Sequence, residues 1–562
     1  MAHGVPREFD TVIVGNGPSA LILSYILHGN LPYYDESRPH PDPILHEKLL
    51  RSNKDLLNLD IDGLTEHFAA SRFSYSTQAL PVNVLWDTLV RPQGETDDAQ
   101  KTCIKWHHDP SRAVSHLVMG NTIRAGGQWV DNPAPASWDI GTLSYAGMIS
   151  LPGYGFDEHY QRRYGQPMPI YLRPSRQAVA EYLATYPDQA GIAESLQNGQ
   201  QVTGVSRYQD GFHIASHNIF CRNLVLASGI FSDLIPPPPV LTPLLGLAAV
   251  PAHPSGYFPE PLLVIGSGFS AADVIISSHP RQRIIHVYRW APSTSPSPLR
   301  ACHQQAYPEY AGVYRRMKLA ALSSPSSKER RPKVRQTQSE FDLSRDWKTT
   351  YEGLPNAEII HVESAHDRTA LVTFRTGHGL PFQYRVGSFA YVVGRRGSLN
   401  YLSSELVKAI LPSDAKDAST MVSGQTLREK ANEDLELAPH VFIIGSLTGD
   451  SLIRFAYGGC AYAAGKIMRR SMERIGKVEF SGGTDKDPSG NNNGNINGNS
   501  NDIIVPLREG QNRCQTPSPR IPAMNGLDGH EASPVSLVES GMPLDRRQTE
   551  GGTLVSTEMV PA

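Results

Sequence analysis

Asp10-Thr11-Val12-Ile13-Val14-Gly15-Asn16-Gly17-Pro18-Ser19-Ala20 is the stretch on which the fold turns. A short apolar run enters G-x-G-x-x-A, and an apolar segment to about Leu27 follows, reading as strand, tight turn and helix. Each small residue has a reason. Gly15 permits the tight turn, Gly17 lets the backbone approach a pyrophosphate, and Ala20 lets the helix lie close on the strand. The helix start then offers unpaired N–H groups and a partial positive charge to phosphates. Ser19 lies in the same turn. A dinucleotide site is expected here; the alternative is a packing turn with no ligand. An acid for the adenosine ribose is expected about 20 residues on. Asp35 and Glu36 fall there, but Leu31-Pro32-Tyr33-Tyr34 reads as a poor strand, and Ser115–Met119, followed by Gly120, reads as a better second one.

The pattern recurs at Leu262-Leu263-Val264-Ile265-Gly266-Ser267-Gly268-Phe269-Ser270-Ala271. The next strand, Ile284–Tyr288, ends in Arg289 where an acid would accept from a ribose 2′-hydroxyl. A cation there suits a 2′-phosphate through charge-assisted bonds, so NADPH is expected over NADH. The alternative for Arg289 is a surface arginine at a strand end. Two such turns are far more specific than one, and two dinucleotides imply an electron relay from nicotinamide to flavin.

Further strand-like runs lie at Thr11–Val14, Leu224–Ala227, Phe389–Val393 and Val441–Ile444. Near-continuous apolar strands with helical stretches between them indicate an α/β fold with parallel sheets. In Val441–Asp450 a strand meets a glycine turn and an acid. Asp450 is read as an acceptor for the ribityl chain of a flavin, or as a simple helix cap. His253 is read as a structural histidine, and His107-His108 as a loop pair without metal-ligand spacing.

The 562 residues are too many for one simple domain. The formal net charge of −3 and the absence of a basic stripe argue against nucleic acid as a partner. The basic run Lys328–Lys333 is short and reads as a solvated loop. Five scattered cysteines suit reduced thiols better than a disulfide framework or a dithiol relay. No apolar run reaches the roughly 20 residues of a membrane span, so a soluble, cytoplasmic chain without a transmembrane segment is expected. Gly490–Asp502 reads GNNNGNINGNSND, and such composition cannot bury enough surface to offset its ordering entropy. Residues 479–562 are therefore read as a disordered tail, a place for protein partners.

Together with Pro43-Ile44-Leu45-His46, Gly126-Gly127-Gln128-Trp129, Tyr307-Pro308-Glu309-Tyr310 and Gly445–Gly459 with Arg454-Phe455, the two glycine turns resemble the oxidative stress-induced growth inhibitor family, a branch related to flavin-containing monooxygenases. The resemblance runs over most of residues 8–470. It implies FAD at the first turn and NADPH at the second, with Gly127 and Trp129 beside FAD. It also implies oxygenation, in which O2 gives one oxygen atom to a small organic substrate. In related monooxygenases a ribose-binding acid precedes the Gly-Gly-x-Trp turn; here Gly120 stands in its place, and Asp35 is the candidate substitute. His253 matches the Phe-x-Gly-x-x-x-His signature of those enzymes only loosely.

The expected architecture is two Rossmann-type dinucleotide-binding domains with insertions. The FAD-binding domain takes residues 8–235 and 385–478, with an insertion at 30–112. The NAD(P)-binding domain takes 236–384, with an insertion at 291–340. The cofactor-binding set is Gly15, Gly17, Ser19, Ala20, Gly127, Trp129, Gly266, Gly268, Ala271, Arg289 and Asp450, with no metal. The other function class is a regulatory flavoprotein of growth or stress control with little turnover. A dehydrogenase or plain NADPH oxidase is a third reading.

Overall fold

A computed structural model describes residues 6–481, apart from 53, 72–74, 77, 95–101, 132–134, 250–259, 324–338, 378 and 412–419. His253, the Lys328–Lys333 run and the tail from 482 onward lie outside the described residues.

Strand β1 (Arg7–Val14) leads into helix α1 (Pro18–Leu27), whose residues from Ala20 to Leu27 are all buried. The chain then leaves the sheet. β2 (Asn30–Tyr34), helix α2 (Pro81–Val90) and β3 (Ile104–His108) belong to the expected insertion, and β2 and β3 pair with each other in a separate antiparallel ribbon. Leu31–Tyr34 is thus a strand after all, although Pro32 suits it to a two-stranded ribbon better than to a central position. His107 and His108 lie on β3 rather than in a loop.

The chain returns as β4 (His116–Gly120), parallel to β1, then passes through helix α3 (Arg176–Gln189), β5 (Leu196–Asn198) and β6 (Ile219–Leu226). β6 flanks β1 on its other side, also in parallel register. Near-continuous burial of Val12–Val14, Leu117–Met119 and Leu224–Leu226 fits strands covered on both faces.

The second sheet begins at β7 (Leu262–Ile265), followed by helix α4 (Phe269–Ser277) and β8 (Ile284–Tyr288). Helix α5 (Pro308–Ser323), β9 (Tyr351–Pro355) and β10 (Ser388–Tyr391) complete it, all four strands being parallel in the order β9-β8-β7-β10. Its alternation is clean. Leu262, Val264 and Ile284 face a core shared with Phe269, Val274 and Val313 of α4 and α5. Leu263, Ile285 and Val287 face the three-stranded antiparallel sheet of residues 357–386, through Val372 and Phe374. Because β10 pairs with β7, the second sheet extends beyond residue 385, where the return to the first had been expected.

The chain re-enters the first sheet as β11 (Val441–Ile443), parallel to β6, and ends in helix α6 (Ala456–Ser481). Two short helical turns, Gly445–Thr448 and Ile453–Phe455, separate β11 from α6, so the final helix starts five residues later than the expected Ser451. Residues 479–481, assigned to the tail from the sequence, continue α6. Among the described residues no helix is long and apolar enough to cross a membrane.

Candidate functional site

The first glycine turn opens on a cleft of about 410 Å³ at the carboxyl ends of β1, β4 and β6. Gly15 has φ +124°, and a Cβ there would lie 2.3 Å from the Ala227 carbonyl oxygen, so the neighbouring strand excludes any side chain. Gly17 is different: a Cβ would meet nothing within 4 Å. The space over Gly17 is open cleft, and no side chain caps α1, so its first N–H groups face that space. This is the cradle a pyrophosphate requires. Ala20 is fully buried, as close helix–strand packing demands.

The Gly126–Trp129 turn closes over the cradle. The Gly126 N–H donates to the Asn16 carbonyl at 2.8 Å, and a Cβ on Gly127 would lie 3.1 Å from Gly17 Cα. From the far end of the chain, Gly445 at φ +65° comes so near that a Cβ would lie 2.4 Å from Ser19 Oγ. The structure thus brings Gly15, Gly17, Ser19, Gly127, Trp129 and Asp450 to one cleft. Asp35 does not line that cleft. It sits at the end of β2, where it accepts from Ser37 and pairs with Arg38. The expected ribose substitute is therefore misplaced, because β2 is not part of the main sheet.

Asp450 lines the cleft, yet its carboxylate is already engaged. It accepts from the Leu80 N–H at 2.9 Å and from Asn83 Nδ2 at 2.6 Å, and pairs with Arg428 at 2.6 Å. It caps α2, a helix from the insertion, rather than the helix that follows it. The same helix is gripped again through its Asp87, which pairs with Arg454 at 2.6 Å and with Arg91 at 2.8 Å. A Cβ on Gly458 would lie 2.3 Å from the Val82 carbonyl oxygen, so α6 and α2 touch backbone to backbone. Of the residues that carried the resemblance between Gly445 and Gly459, Gly458, Gly459 and Arg454 serve this clamp, which fixes the cleft's C-terminal wall.

In the second sheet a Cβ on Gly266 would lie 2.4 Å from the Val392 carbonyl oxygen. Gly268 begins α4 without a side-chain cap, and Ala271 is buried under the turn. Fully buried His286 braces the turn from below, its Nε2 lying 2.7 Å from the Gly266 carbonyl oxygen and its Nδ1 2.8 Å from the Tyr351 hydroxyl. A carbonyl only accepts, so Nε2 carries the proton and Nδ1 accepts from Tyr351. Burial holds this imidazole neutral, with its pKa lowered to about 4. Arg289 is exposed just past the end of β8, near Tyr391.

Between the two turns lies a smaller cavity of about 80 Å³. Gln128, Trp129 and Ile453 approach it from the first cleft; Phe269 and Asp273 of α4 and Tyr310 of α5 approach it from the other side. The Tyr310 hydroxyl donates to Asp273 Oδ1 at 2.8 Å. Burial pushes the Asp273 carboxyl up to about 6, against the opposing pull of Tyr310 and Arg176. The sequence reading missed both Asp273 and His286. The available signal was the same for each: one polar residue in an otherwise apolar run, Ala271-Ala272-Asp273-Val274-Ile275 and Ile284-Ile285-His286-Val287.

Cys103, Cys221, Cys302 and Cys460 are buried, and none lines either cavity. Among the described residues no group of three or more His, Cys, Asp or Glu could hold a metal ion.

No family model matches the chain. It is 25% identical over 510 residues to oxidative stress-induced growth inhibitor 1 of Mus musculus, covering 82% of this chain and 96% of that protein. Among solved structures it is similar to a flavin-containing monooxygenase from Stenotrophomonas maltophilia, with a TM-score of 0.40, 13% identity and coverage of 84% and 99%. It is also similar to a bacillithiol disulfide reductase from Staphylococcus aureus, with a TM-score of 0.44, 12% identity and the same 84% and 99%.

Proposed function

We propose, from the chain's relatedness to the oxidative stress-induced growth inhibitors and from the geometry of its two glycine turns, that it is an FAD- and NADPH-dependent flavoprotein monooxygenase. One observation carries the reading. The first glycine turn opens on a cleft, the second repeats its strand, glycine turn and uncapped helix start, and one small cavity is lined both by Gln128 and Trp129 beside the first turn and by Phe269 and Asp273 of the helix that follows the second. That is the arrangement a two-dinucleotide electron relay needs.

The residues fit FAD in the first cleft, where the space over Gly17 is open and the first N–H groups of α1 are uncapped. Bound there, the flavin would supply the redox chemistry, accepting hydride from NADPH and passing electrons to O2. The protein's part is positional. Gly17 and the start of α1 would hold the pyrophosphate beneath the Gly127–Trp129 turn, and the α2 clamp fixes the opposite wall. Gly268 and the start of α4 would hold the second pyrophosphate, and exposed Arg289 would meet the 2′-phosphate. Trp129, Phe269 and Ile453 line the small cavity with apolar surface and would keep water from the reacting atoms. Asp273, braced by Tyr310, is the titratable carboxyl on that cavity and can hold or release a proton near neutral pH.

The position of the cysteines favours oxygenation over disulfide reduction. A dithiol relay needs two thiols within reach of the flavin, and no described cysteine lines either cavity.

The test is NADPH-dependent oxygen consumption by the FAD-loaded full chain, with isotopically labelled O2 and a panel of small amines, sulfides and ketones. One labelled oxygen atom in a product is expected. Oxygen consumed with no label in any product would favour a plain NADPH oxidase. FAD bound but never reduced would favour the regulatory flavoprotein.

A further inference from the structure

We propose that the adenosine ribose of FAD is read in this protein by the carboxamide of Asn121, in place of the carboxylate the fold ordinarily uses. The inference rests on the reading of the first cleft as an FAD site.

The ordinary acid stands at the carboxyl end of the strand beside β1. Here that strand is β4, and its last residue is Gly120. The absence of a side chain has a steric cause: a Cβ on Gly120 would lie 2.2 Å from Asn16 Cγ and 2.3 Å from Asn16 Oδ1. Asn16, from within the first glycine turn, occupies the volume in which an acid would begin.

Asn16 cannot yield that volume cheaply. It is only 3% exposed. Its Nδ2 donates to the Thr122 and Arg124 carbonyls, both at 3.2 Å, and to Asn198 Oδ1 at 2.8 Å. Its Oδ1 accepts from Thr122 Oγ1 at 2.8 Å. Moving it would strip several buried bonds at once. These bonds tie the glycine turn to the ends of β4 and β5, and they leave the side chain with little to offer a ligand.

The next residue, Asn121, is exposed on the cleft wall one position beyond the strand end. Gln200, a second amide at this end, is committed to the Asn198 carbonyl at 3.3 Å and to His217 at 3.0 Å. A carboxamide both accepts and donates, so it can serve a vicinal pair of ribose hydroxyls. A neutral bond is weaker than one to a carboxylate, so the contribution of Asn121 is set at about tenfold in affinity.

The experiment is equilibrium titration of the apo full chain with FAD and, separately, with FMN, which lacks the adenosine ribose, read by flavin fluorescence. Asn121→Ala is expected to weaken FAD about tenfold while leaving FMN unchanged; Asn121→Asp is expected to retain FAD. Gly120→Ala should lower the thermal midpoint, and that loss should vanish in an Asn16→Gly background. Unchanged FAD affinity in Asn121→Ala would overturn the assignment. Gly120→Ala tolerated without cost would overturn its steric basis. A wild-type chain that binds neither FAD nor FMN would overturn the flavin reading itself, a result distinct from the others.

Discussion

The two glycine turns are nearly the same sequence, V-G-N-G-P-S-A and I-G-S-G-F-S-A, yet the chain secures them by different means. The first is held from above and from the side. Asn16 bonds outward to the ends of neighbouring strands, and both Gly127 and Gly445 press against the turn. The second is held from below by a buried imidazole between Gly266 and Tyr351 and from the side by Ser297, whose hydroxyl donates to the Ser267 carbonyl at 2.6 Å. The first cleft is enclosed by segments drawn from the whole chain, whereas the second turn is braced by its own sheet and by the 291–340 segment that follows it. A motif therefore specifies the local backbone, and the contacts around it decide how firmly a ligand is kept. On the proposed reading, the difference would suit a resident flavin in the first site and an exchanging nicotinamide nucleotide in the second.

The largest effect should come from the first turn. Gly15→Ala places a Cβ against backbone at a strained φ, and we expect a loss of several kcal/mol and little folded protein. Gly17→Ala, which meets no protein atom, should fold with an unchanged thermal midpoint and fail to retain FAD. That contrast, measured by calorimetry and flavin absorbance, separates architecture from ligand binding within one turn. If Gly17→Ala keeps FAD, the cradle has been misplaced.

Next in size is the brace. His286→Leu would leave the Gly266 carbonyl and the Tyr351 hydroxyl buried without their partner, at a cost of about 2–3 kcal/mol. We expect weaker NADPH binding and unaltered FAD content. Equal damage to both cofactors would erase the distinction between the sites.

Asp273 sharpens the comparison through pH. Its folded pKa of about 6 lies above the ordinary 3.8, so the fold disfavours its ionised form. Apo-protein stability should be greatest below the ordinary value and fall as pH rises toward 6, by roughly 2–3 kcal/mol, then level off. Thermal midpoints of wild type and Asp273→Asn between pH 4 and 7 should therefore diverge, with the variant showing the flatter profile.

Arg289→Ala is the smallest change. If its guanidinium meets the 2′-phosphate, NADPH affinity should drop about tenfold and NADH affinity should not move. Equal loss for both nucleotides would remove the basis for NADPH preference.

Much of this was legible in the sequence because the determinants are local. Strand, glycine turn and helix follow one another in a dozen residues, and Leu262–Ile265 and Ile284–Tyr288 stand where the apolar runs place them. What could not be read came from distant partners. Asp450 looked like a flavin contact or a local cap, but Leu80, Asn83 and Arg428 claim its oxygens from far along the chain. Asp35 stood at the right spacing but just past a strand outside the main sheet, and spacing alone does not reveal which strand neighbours β1. Gly120 looked like a departure from pattern until Asn16 supplied its cause. The cavity residues Asp273 and Tyr310 lie 37 positions apart and meet only in the folded chain.

The most direct test of the central claim is to mix the FAD-loaded full chain with NADPH in the absence of oxygen and follow the visible flavin absorbance. If the two turns serve one cavity, the absorbance bleaches within the mixing experiment and returns on admission of O2. If the flavin stays oxidised while NADPH is shown to bind, the two sites do not exchange electrons and the oxidoreductase account is wrong.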